Sequence, residues 1–336
     1  MSDSDRTPAD EFRATEDGAG VELAYAGRNT FLKAEARDVS DLDDVDVGIL
    51  GAPYDGALSN RPGARYGPEA IRRASGWWAY LANYKGGLTN VNTGKRVDFS
   101  GVEVADCGDV PVFPMDHERT ADSIEAHVAT VAERAFPLLL GGDHYCTYPA
   151  VRGFARGIDA DSIGLVQIDA HSDTVAESDV FGAHYHGSST RLVAESPFGD
   201  YERVSQVGVR GYEGPDFLEF VDETGLNLYP MREVHERGVA DVVADAVDAA
   251  ATDADAVYVT FDIDSVDPSV APGTGTPEPD GLSPHQALRV MEVVGRHDAV
   301  GGADLMEVSP TYDPTASTQT LGAYLLVTLV ERLFAE

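Results

Sequence analysis

The chain has 336 residues, of which 24 are Lys or Arg and 58 are Asp or Glu, so its formal net charge is −34. This charge excludes the basic surface that nucleic-acid binding requires, and it opposes binding to an anionic membrane surface. The hydrophobic fraction of 43% is ordinary for a globular protein, and the length is sufficient for one large α/β domain.

Residues 1–30 are acidic and lack hydrophobic periodicity, so we expect an irregular N-terminal arm before a single domain over residues 31–336. Short apolar runs predict eight strands, over residues 45–50, 102–106, 137–140, 163–168, 204–209, 226–229, 256–261 and 300–305. Amphipathic stretches predict helices between them, including residues 68–80, 119–135, 233–251, 284–294 and 318–334. This alternation predicts βαβ units and a parallel sheet. Periodicity leaves open a closed barrel and an open doubly wound sheet, and both place chemistry at the carboxyl ends of the strands.

Carboxylates and imidazoles stand directly after three of the predicted strands. The six residues are His144, Asp169, His171, Asp173, Asp262 and Asp264. Because alternate side chains of an extended segment share a face, the acids and imidazole of residues 169–173 converge, and residues 262–264 repeat the pattern. Six nitrogen and oxygen ligands are too many for one ordinary zinc site. They suit two divalent ions bridged by shared carboxylates, with Mn²⁺ favoured by the oxygen-rich ligands, and such a pair acidifies a water molecule.

Three runs of sequence resemble the signatures of the ureohydrolases, the family of arginase, agmatinase and related amidinohydrolases. They are Gly141-Gly-Asp-His144, Asp169-Ala-His-Ser-Asp173 and Phe261-Asp-Ile-Asp-Ser-Val-Asp-Pro268. The similarity extends over most of residues 45–334 and includes Met306-Glu-Val-Ser-Pro310. The resemblance implies an open, mainly parallel eight-stranded sheet with helices on both faces. It also implies two Mn²⁺ ions, with Ni²⁺ or Co²⁺ as alternatives, and a homotrimer or homohexamer.

The resemblance further implies a role for each residue of the site. One ion would be held by His144, Asp169, Asp173 and Asp262, and the other by Asp169, His171, Asp262 and Asp264. Asp173 would also orient the hydroxide between the ions, and His186 would shuttle protons at near-neutral pH. Glu307 would pair with the substrate guanidinium through two hydrogen bonds. The products would be urea and an amine.

The substrate is predicted from the residues that this chain has where arginases carry their arginine-binding residues. Arginases recognise the α-amino acid head of arginine with an Asn and a Ser, and these positions hold Val175 and Gly182 in this chain. Arginine is therefore disfavoured. The run Gly141-Gly-Asp-His144 followed by Tyr145 is more similar to agmatinase than to arginase, whose first motif commonly carries Glu at the position of Asp143, so agmatine is the leading substrate. Guanidinobutyrate, guanidinopropionate and guanidine are the alternatives.

The tail of the substrate is less well defined by the sequence. Glu177, Asp179 or Glu213 could neutralise an amine, whereas Arg210 could receive a carboxylate. The aromatic and glycine-containing segment over residues 75–101 has two interpretations, which are packing at a subunit interface and a lid over the pocket.

Two further functions compete with the ureohydrolase interpretation. A zinc amide deacetylase uses a single metal, and the additional ligands His144 and Asp173 argue against it. A catalytically inactive relative that binds a partner would have lost ligands, and all six are present in this sequence.

The surplus of acids is itself a prediction about the surroundings. Lysine occurs only three times, and 36 Asp stand beside 22 Glu. Acids distributed along the whole chain are typical of proteins from salt-loving organisms, in which salt screens the mutual repulsion. Two cysteines do not form a disulfide framework, and the N-terminus has no apolar signal sequence, so we expect a cytoplasmic protein.

Overall fold

The computed structural model describes residues 23–97 and 99–335. Most of the predicted N-terminal arm, residues 1–22, lies outside the described residues. Residues 23–30 contain turns and bends. The division into an arm and one domain therefore stays a prediction.

The main sheet has nine strands, and all of its pairings are parallel. They are β1 (Glu35–Ala36), β2 (Val47–Gly51), β5 (Val104–Asp109), β6 (Phe136–Leu140), β7 (Ile163–Ile168), β8 (Val204–Val207), β9 (Asn227–Tyr229), β10 (Ala256–Asp262) and β11 (Val300–Met306). Their order is β1-β5-β2-β6-β11-β10-β7-β8-β9, with two different edge strands, so the sheet is open. All eight predicted strands are present, and the ninth is the two-residue edge strand β1, which is too short for a periodicity signal. A separate antiparallel hairpin joins β3 (Leu88–Asn90) to β4 (Lys95–Val97).

Helices cover both faces of the sheet and confirm the predicted three-layer α/β/α class. They are α1 (Gly67–Lys85), α2 (His117–Ala132), α3 (Thr147–Gly157), α4 (Ser189–Ala194), α5 (Phe217–Thr224), α6 (Met231–Arg237), α7 (Val239–Ala251), α8 (Pro284–Val294) and α9 (Ser317–Phe334). Consecutive strand residues point to opposite faces. Ile49 and Val166 therefore pack in the core under α1, α7, α8 and α9, whereas their neighbours Leu50 and Leu165 pack in the core under α2 and α3. This arrangement explains why the strands are continuously apolar.

One predicted helix is divided in the structure. The amphipathic stretch over residues 233–251 forms two helices, α6 and α7, because the chain turns at Gly238 with φ +92°. A left-handed φ of this kind suits glycine, and it ends the first helix.

None of the helices in residues 23–97 and 99–335 combines the length and the apolar character that crossing a membrane requires.

Candidate metal centre and cleft

The candidate site lies at the carboxyl ends of four neighbouring central strands. In the sheet β6, β11, β10 and β7 are adjacent, and each is followed by at least one candidate residue. His144 follows β6, Glu307 follows β11, and residues 169–173 follow β7. Asp262 ends β10, and Asp264 lies in the short 3₁₀ turn after it. Parallel pairing therefore collects residues from distant parts of the chain at one edge of the sheet.

His144 points one ring nitrogen at three carboxylates. Its Nδ1 lies 2.9 Å from Asp169 Oδ2, 3.0 Å from Asp173 Oδ2 and 3.1 Å from Asp262 Oδ2. All four side chains are buried. His144, Asp169 and Asp173 form one of two clusters of potential metal ligands among the residues that the structure describes, and Asp262 adjoins it through its contact with His144.

The hydrogen bonds of His144 Nε2 set the orientation and the tautomer of the imidazole ring. His144 Nε2 lies 2.9 Å from Thr260 Oγ1, which is 3.1 Å from Thr147 Oγ1, and Thr147 donates to Asp304 Oδ2 at 3.0 Å. A chain of donors that ends on a carboxylate assigns the imidazole proton to Nε2. The lone pair of Nδ1 then faces the three aspartates, as a metal-ligating histidine requires.

The second cluster shares Asp169 with the first. His171 Nδ1 lies 3.1 Å from Asp264 Oδ2 and 3.6 Å from Asp169 Oδ1. The aspartates of this cluster are buried, whereas His171 is half-buried at the cleft. Asp169 presents one oxygen to each imidazole, which is the arrangement expected of a bridging carboxylate.

The arrangement of these ligand atoms is explained better by bound divalent cations than by contacts within the protein alone. His144 Nδ1 is buried and makes no hydrogen bond, although three carboxylate oxygens surround it. Burial, together with the charges of Asp264 and Asp169, raises the pKa of Asp262 well above its ordinary value. Buried anions that repel one another are costly unless a cation lies between them.

Two glutamines hold the Asp169 carboxylate in place. Gln167 Nε2 donates to Asp169 Oδ2 at 2.7 Å, and Gln206 Nε2 donates to Gln167 Oε1 at 2.6 Å. Gln167 and Gln206 face each other in the register of β7 and β8, and both are fully buried. Thr190 Oγ1 donates to the same Gln167 oxygen at 2.6 Å. The interaction with Asp169 therefore depends on two strands and on α4.

Asp173 lies at the boundary between the cluster and the cleft. Its backbone takes a left-handed φ of +51°, and Ser189 Oγ donates to its Oδ2 at 3.1 Å. The left-handed turn ends the extended segment and directs the carboxylate back toward His144.

Glu307 is fully buried beside the cluster, also with a left-handed backbone, φ +62°. Its Oε1 accepts a hydrogen bond from the backbone N–H of His144 at 3.0 Å and lies 3.2 Å from His186 Nδ1. Its Oε2 makes no hydrogen bond and faces Gly275, where a Cβ atom would lie 3.4 Å away. One carboxylate oxygen is therefore held by the protein, and the other is buried without a hydrogen-bond partner among the described residues.

His186 connects Glu307 to the surface. Its Nε2 accepts a hydrogen bond from the Ser59 backbone N–H at 3.0 Å and lies 2.6 Å from Ser59 Oγ. Burial alone lowers the pKa of His186, but the hydrogen bond and charge of Glu307 outweigh burial and raise this pKa to about 9.

A cleft of about 180 Å³ opens onto this site. Its lining residues are Ser59, His171, Ser172, Asp173, Val175, Tyr185, His186, Gly187, Tyr212, Glu213, Asp262 and Thr276. Within this lining there is no Lys or Arg. Glu213 is the one carboxylate of the lining outside the two metal-ligand clusters, and its Oε1 accepts from the Ser172 backbone N–H at 3.0 Å.

Arg210 does not face the cleft, contrary to the possibility that it receives a substrate carboxylate. Its guanidinium makes five hydrogen bonds, all to backbone carbonyl oxygens, of Gly208, Asp264, Ser265, Glu278 and Pro279. A guanidinium has five N–H donors, so its hydrogen-bonding capacity is used within the protein. Arg210 instead holds the loop after Asp264 against residues 278–279.

Three other expectations are tested by the cleft lining. Glu177 and Asp179 are exposed and do not line the cleft, which leaves Glu213 as the one of these three acids that does. No described residue of 75–101 lines it either, so the cleft lining gives the lid interpretation of that segment no support. Sequence reasoning missed Gln167, Gln206 and Ser59. A polar residue within the apolar run of β7 was the available signal for Gln167.

Comparisons with known proteins agree with this geometry. A sequence model described as the arginase family matches residues 45–331. Guanidinopropionase from Pseudomonas aeruginosa is 35% identical, covering 91% of this chain and 92% of its own length. Agmatinase from Chromobacterium violaceum is 36% identical, covering 92% of this chain and 89% of its own. The structure of proclavaminate amidinohydrolase from Streptomyces clavuligerus superposes with a TM-score of 0.81 at 33% identity, covering 93% of this chain and 99% of that one.

Proposed function

This chain belongs to the arginase family, whose members hydrolyse amidino carbon–nitrogen bonds, and we propose that its own substrate is agmatine, cleaved to urea and an amine. The observation that supports agmatine is the charge of the cleft. Related proteins of similar identity are named for agmatine and for guanidino acids, so the name of a relative does not separate these substrates.

The residues that would hold two divalent ions are His144, Asp169, His171, Asp173, Asp262 and Asp264. The geometry of the two clusters supports Asp169 as a shared carboxylate, and Asp262, whose Oδ2 faces His144, would be the second, with Mn²⁺ as the proposed ion. Two such ions would acidify a water molecule and so supply a nucleophile near neutral pH. Asp173 would accept a hydrogen bond from that water and orient it.

Glu307 would bind and align the guanidinium. Its buried Oε2 has no partner within the described part of the chain, and a planar guanidinium offers donors that match a carboxylate. His186, in contact with Glu307 and with Ser59 at the cleft, would protonate the leaving amine and recover the proton from solvent.

Glu213 would select the tail of the substrate. An ammonium group is attracted by this carboxylate, whereas the carboxylate of guanidinobutyrate or guanidinopropionate would meet it with no Lys or Arg among the described cleft residues to compensate. Like-charge contacts of this kind discriminate against a ligand as effectively as a favourable contact selects one.

Urea release from agmatine, guanidinobutyrate, guanidinopropionate, guanidine and arginine, with Mn²⁺ in molar salt, tests the proposal. We expect the highest kcat/KM with agmatine. The Glu213→Gln variant should raise KM for agmatine by about tenfold, which is one lost charge pair, without raising KM for guanidinobutyrate. Glu177→Gln, an acid outside the cleft, is the matched control. A preference for a guanidino acid would overturn the choice of agmatine, and no urea from any compound would overturn the hydrolase itself.

Elemental analysis tests the ligand assignment separately. Asp173→Asn and His171→Ala should each lower the metal content per chain. Full occupancy in both variants would show that these residues are not ligands.

A further inference from the structure

A second cavity lies beside the cleft, and the proposed reaction does not use it. Its volume is about 720 Å³, and Tyr185 is the one residue that both linings share within the described part of the chain. Aromatic and imidazole rings are prominent in its wall. We call this space the aromatic cavity, after the five rings that line it, Tyr54, His117, Phe181, His184 and Tyr185.

The rings of the aromatic cavity support one another. Phe181 stacks on Tyr185 with ring centroids 5.4 Å apart, and His117 meets His184 edge to face at 5.9 Å. Tyr145, which is buried in the core, contacts both histidines, with centroids 6.5 Å and 6.2 Å away. Stacked and edge-to-face contacts of this kind are favourable, so the rings are held around the space.

The charge of the aromatic cavity is negative. Glu118, in the first turn of α2, is the one carboxylate of the described lining, which contains neither Lys nor Arg. Burial and the neighbouring His117 lower the pKa of His184, so this imidazole is neutral at neutral pH and does not repel a cation. Burial, with a further effect from nearby carboxylates of which Asp143 has the largest, raises the pKa of Tyr54 to about 12.

We propose that the aromatic cavity binds a methylated ammonium ion at a site separate from the substrate. The faces of aromatic rings attract cations, and a cage of rings is a recurrent means of recognising quaternary ammonium groups. A primary ammonium has three N–H donors that each need a partner, whereas a quaternary ammonium has none. A wall of five rings and one carboxylate therefore suits the methylated ion better. A carboxylate ligand would meet Glu118 with no Lys or Arg of the described lining to compensate.

The aromatic cavity is connected to the cleft through the residues that hold His186. Ala57 and Leu58 line the cavity, and the carbonyl of Ala57 accepts a hydrogen bond from the His186 backbone N–H at 3.0 Å. Ser59, which follows Leu58, contacts His186 Nε2, and Tyr185 directly precedes His186. A bound ion therefore contacts segments that position His186 without entering the cleft, so we expect it to alter kcat for urea release more than KM.

Equilibrium dialysis of the Mn²⁺-loaded protein against radiolabelled tetramethylammonium, in molar KCl, tests the proposal. We expect saturable binding of about one ion per chain. tert-Butanol, a neutral probe of similar size, should displace the ion only at a concentration about tenfold higher or more, because it has no charge for the rings to attract. The absence of saturable binding, or equal displacement by tert-butanol, would overturn a cation site. Dialysis needs no turnover, so its result does not depend on which guanidino compound is cleaved.

Phe181 separates attraction by a ring face from ordinary apolar contact. This residue is 43% exposed, so its replacement should not disturb the core. Phe181→Leu should raise the dissociation constant of tetramethylammonium by about threefold, whereas Phe181→Trp should lower it by about twofold, because indole binds cations best among the aromatic rings. An affinity that does not follow the order Trp, Phe, Leu would contradict recognition by the rings.

Two carboxylate variants show which of the two cavities holds the ion. Glu118→Gln should weaken tetramethylammonium binding by about twofold to threefold, the effect of one exposed charge, and leave KM for agmatine unchanged. Glu213→Gln, which alters the cleft, is the matched control and should leave tetramethylammonium binding unchanged. Weaker binding in Glu213→Gln alone, or an ion that raises KM for the substrate without changing kcat, would place the ion in the cleft and overturn the separate site.

Discussion

At the scale of single residues, Glu307 has two oxygens with different tasks. Oε1 is held by the His144 backbone N–H, and Oε2 has no partner within the described residues. Glu307→Gln keeps the size of the side chain and leaves an oxygen for the His144 N–H. It removes the charge that a guanidinium needs, so we expect urea release to fall by about 100-fold or more, the usual consequence of losing one partner of a buried charged pair.

Metal content separates this role from a structural one. Inductively coupled plasma analysis of Glu307→Gln should give the same number of ions per chain as the wild type. Loss of metal in this variant would instead assign Glu307 to support of His144.

The pKa of His186 depends on the carboxylate of Glu307. Its pKa is raised to about 9 from an ordinary 6.5, because Glu307 outweighs the effect of burial. Between these two values the folded chain binds a proton that the unfolded chain releases. The stability that this pair contributes is therefore complete below pH 6.5 and is lost as the pH rises through about 9.

Removal of the Glu307 charge should lower the pKa of His186 by about one to three units. Nitrogen-15 NMR of the histidine rings in chelator-treated protein measures this directly, with Glu307→Gln compared with the wild type. Glu213→Gln removes a different cleft carboxylate and should leave the value near 9. If Glu213→Gln lowered the pKa as much as Glu307→Gln, the general charge of the cleft would be the cause.

At the scale of secondary structure, strands β7 and β8 support the Asp169 carboxylate through their paired glutamines. Gln206 orients Gln167, which donates to Asp169. Gln206→Leu removes one of the two donors to Gln167 Oε1 and leaves Thr190 as the other, so we expect the affinity for Mn²⁺ to fall by about 10-fold, the lower end of the loss for residues that position a ligand. Isothermal titration calorimetry on apoprotein measures it. Ser205→Ala is the control on the same strand, because its buried hydroxyl makes no hydrogen bond, and an equal loss of affinity there would point to disruption of β8 in general.

The elements that the sequence predicted are those with a strong local pattern. Apolar runs located eight strands, and the alternation of ligands in residues 169–173 predicted which side chains converge. The glutamine pair was not predictable, because Gln167 and Gln206 are 39 residues apart and only the register of the sheet brings them together. Arg210 was misjudged for the same reason, since its five carbonyl partners are set by tertiary structure.

At the scale of the whole molecule, the negative charge is distributed unevenly. Four aspartates and Glu307 belong to the candidate site, where divalent ions would offset part of their charge. Most of the remaining acids that the structure describes are exposed, whereas residues 70–97 contain no acid. The surplus of acids therefore has a local role at the candidate site and a general effect on the stability of the fold.

The general effect predicts a dependence on salt. Mutual repulsion of the surface carboxylates favours the expanded unfolded chain, and the screening length falls from about 10 Å at 0.1 M salt to about 3 Å at 1 M. Differential scanning calorimetry with Mn²⁺ held saturating should therefore show Tm falling by about 5 °C or more, equivalent to a few kcal/mol, as KCl is lowered from molar to 0.1 M. Sorbitol at equal osmolality alters hydration without screening charge, so it should not restore Tm. A Tm that is independent of KCl, or one that sorbitol restores fully, would show that charge repulsion does not limit the stability of this fold.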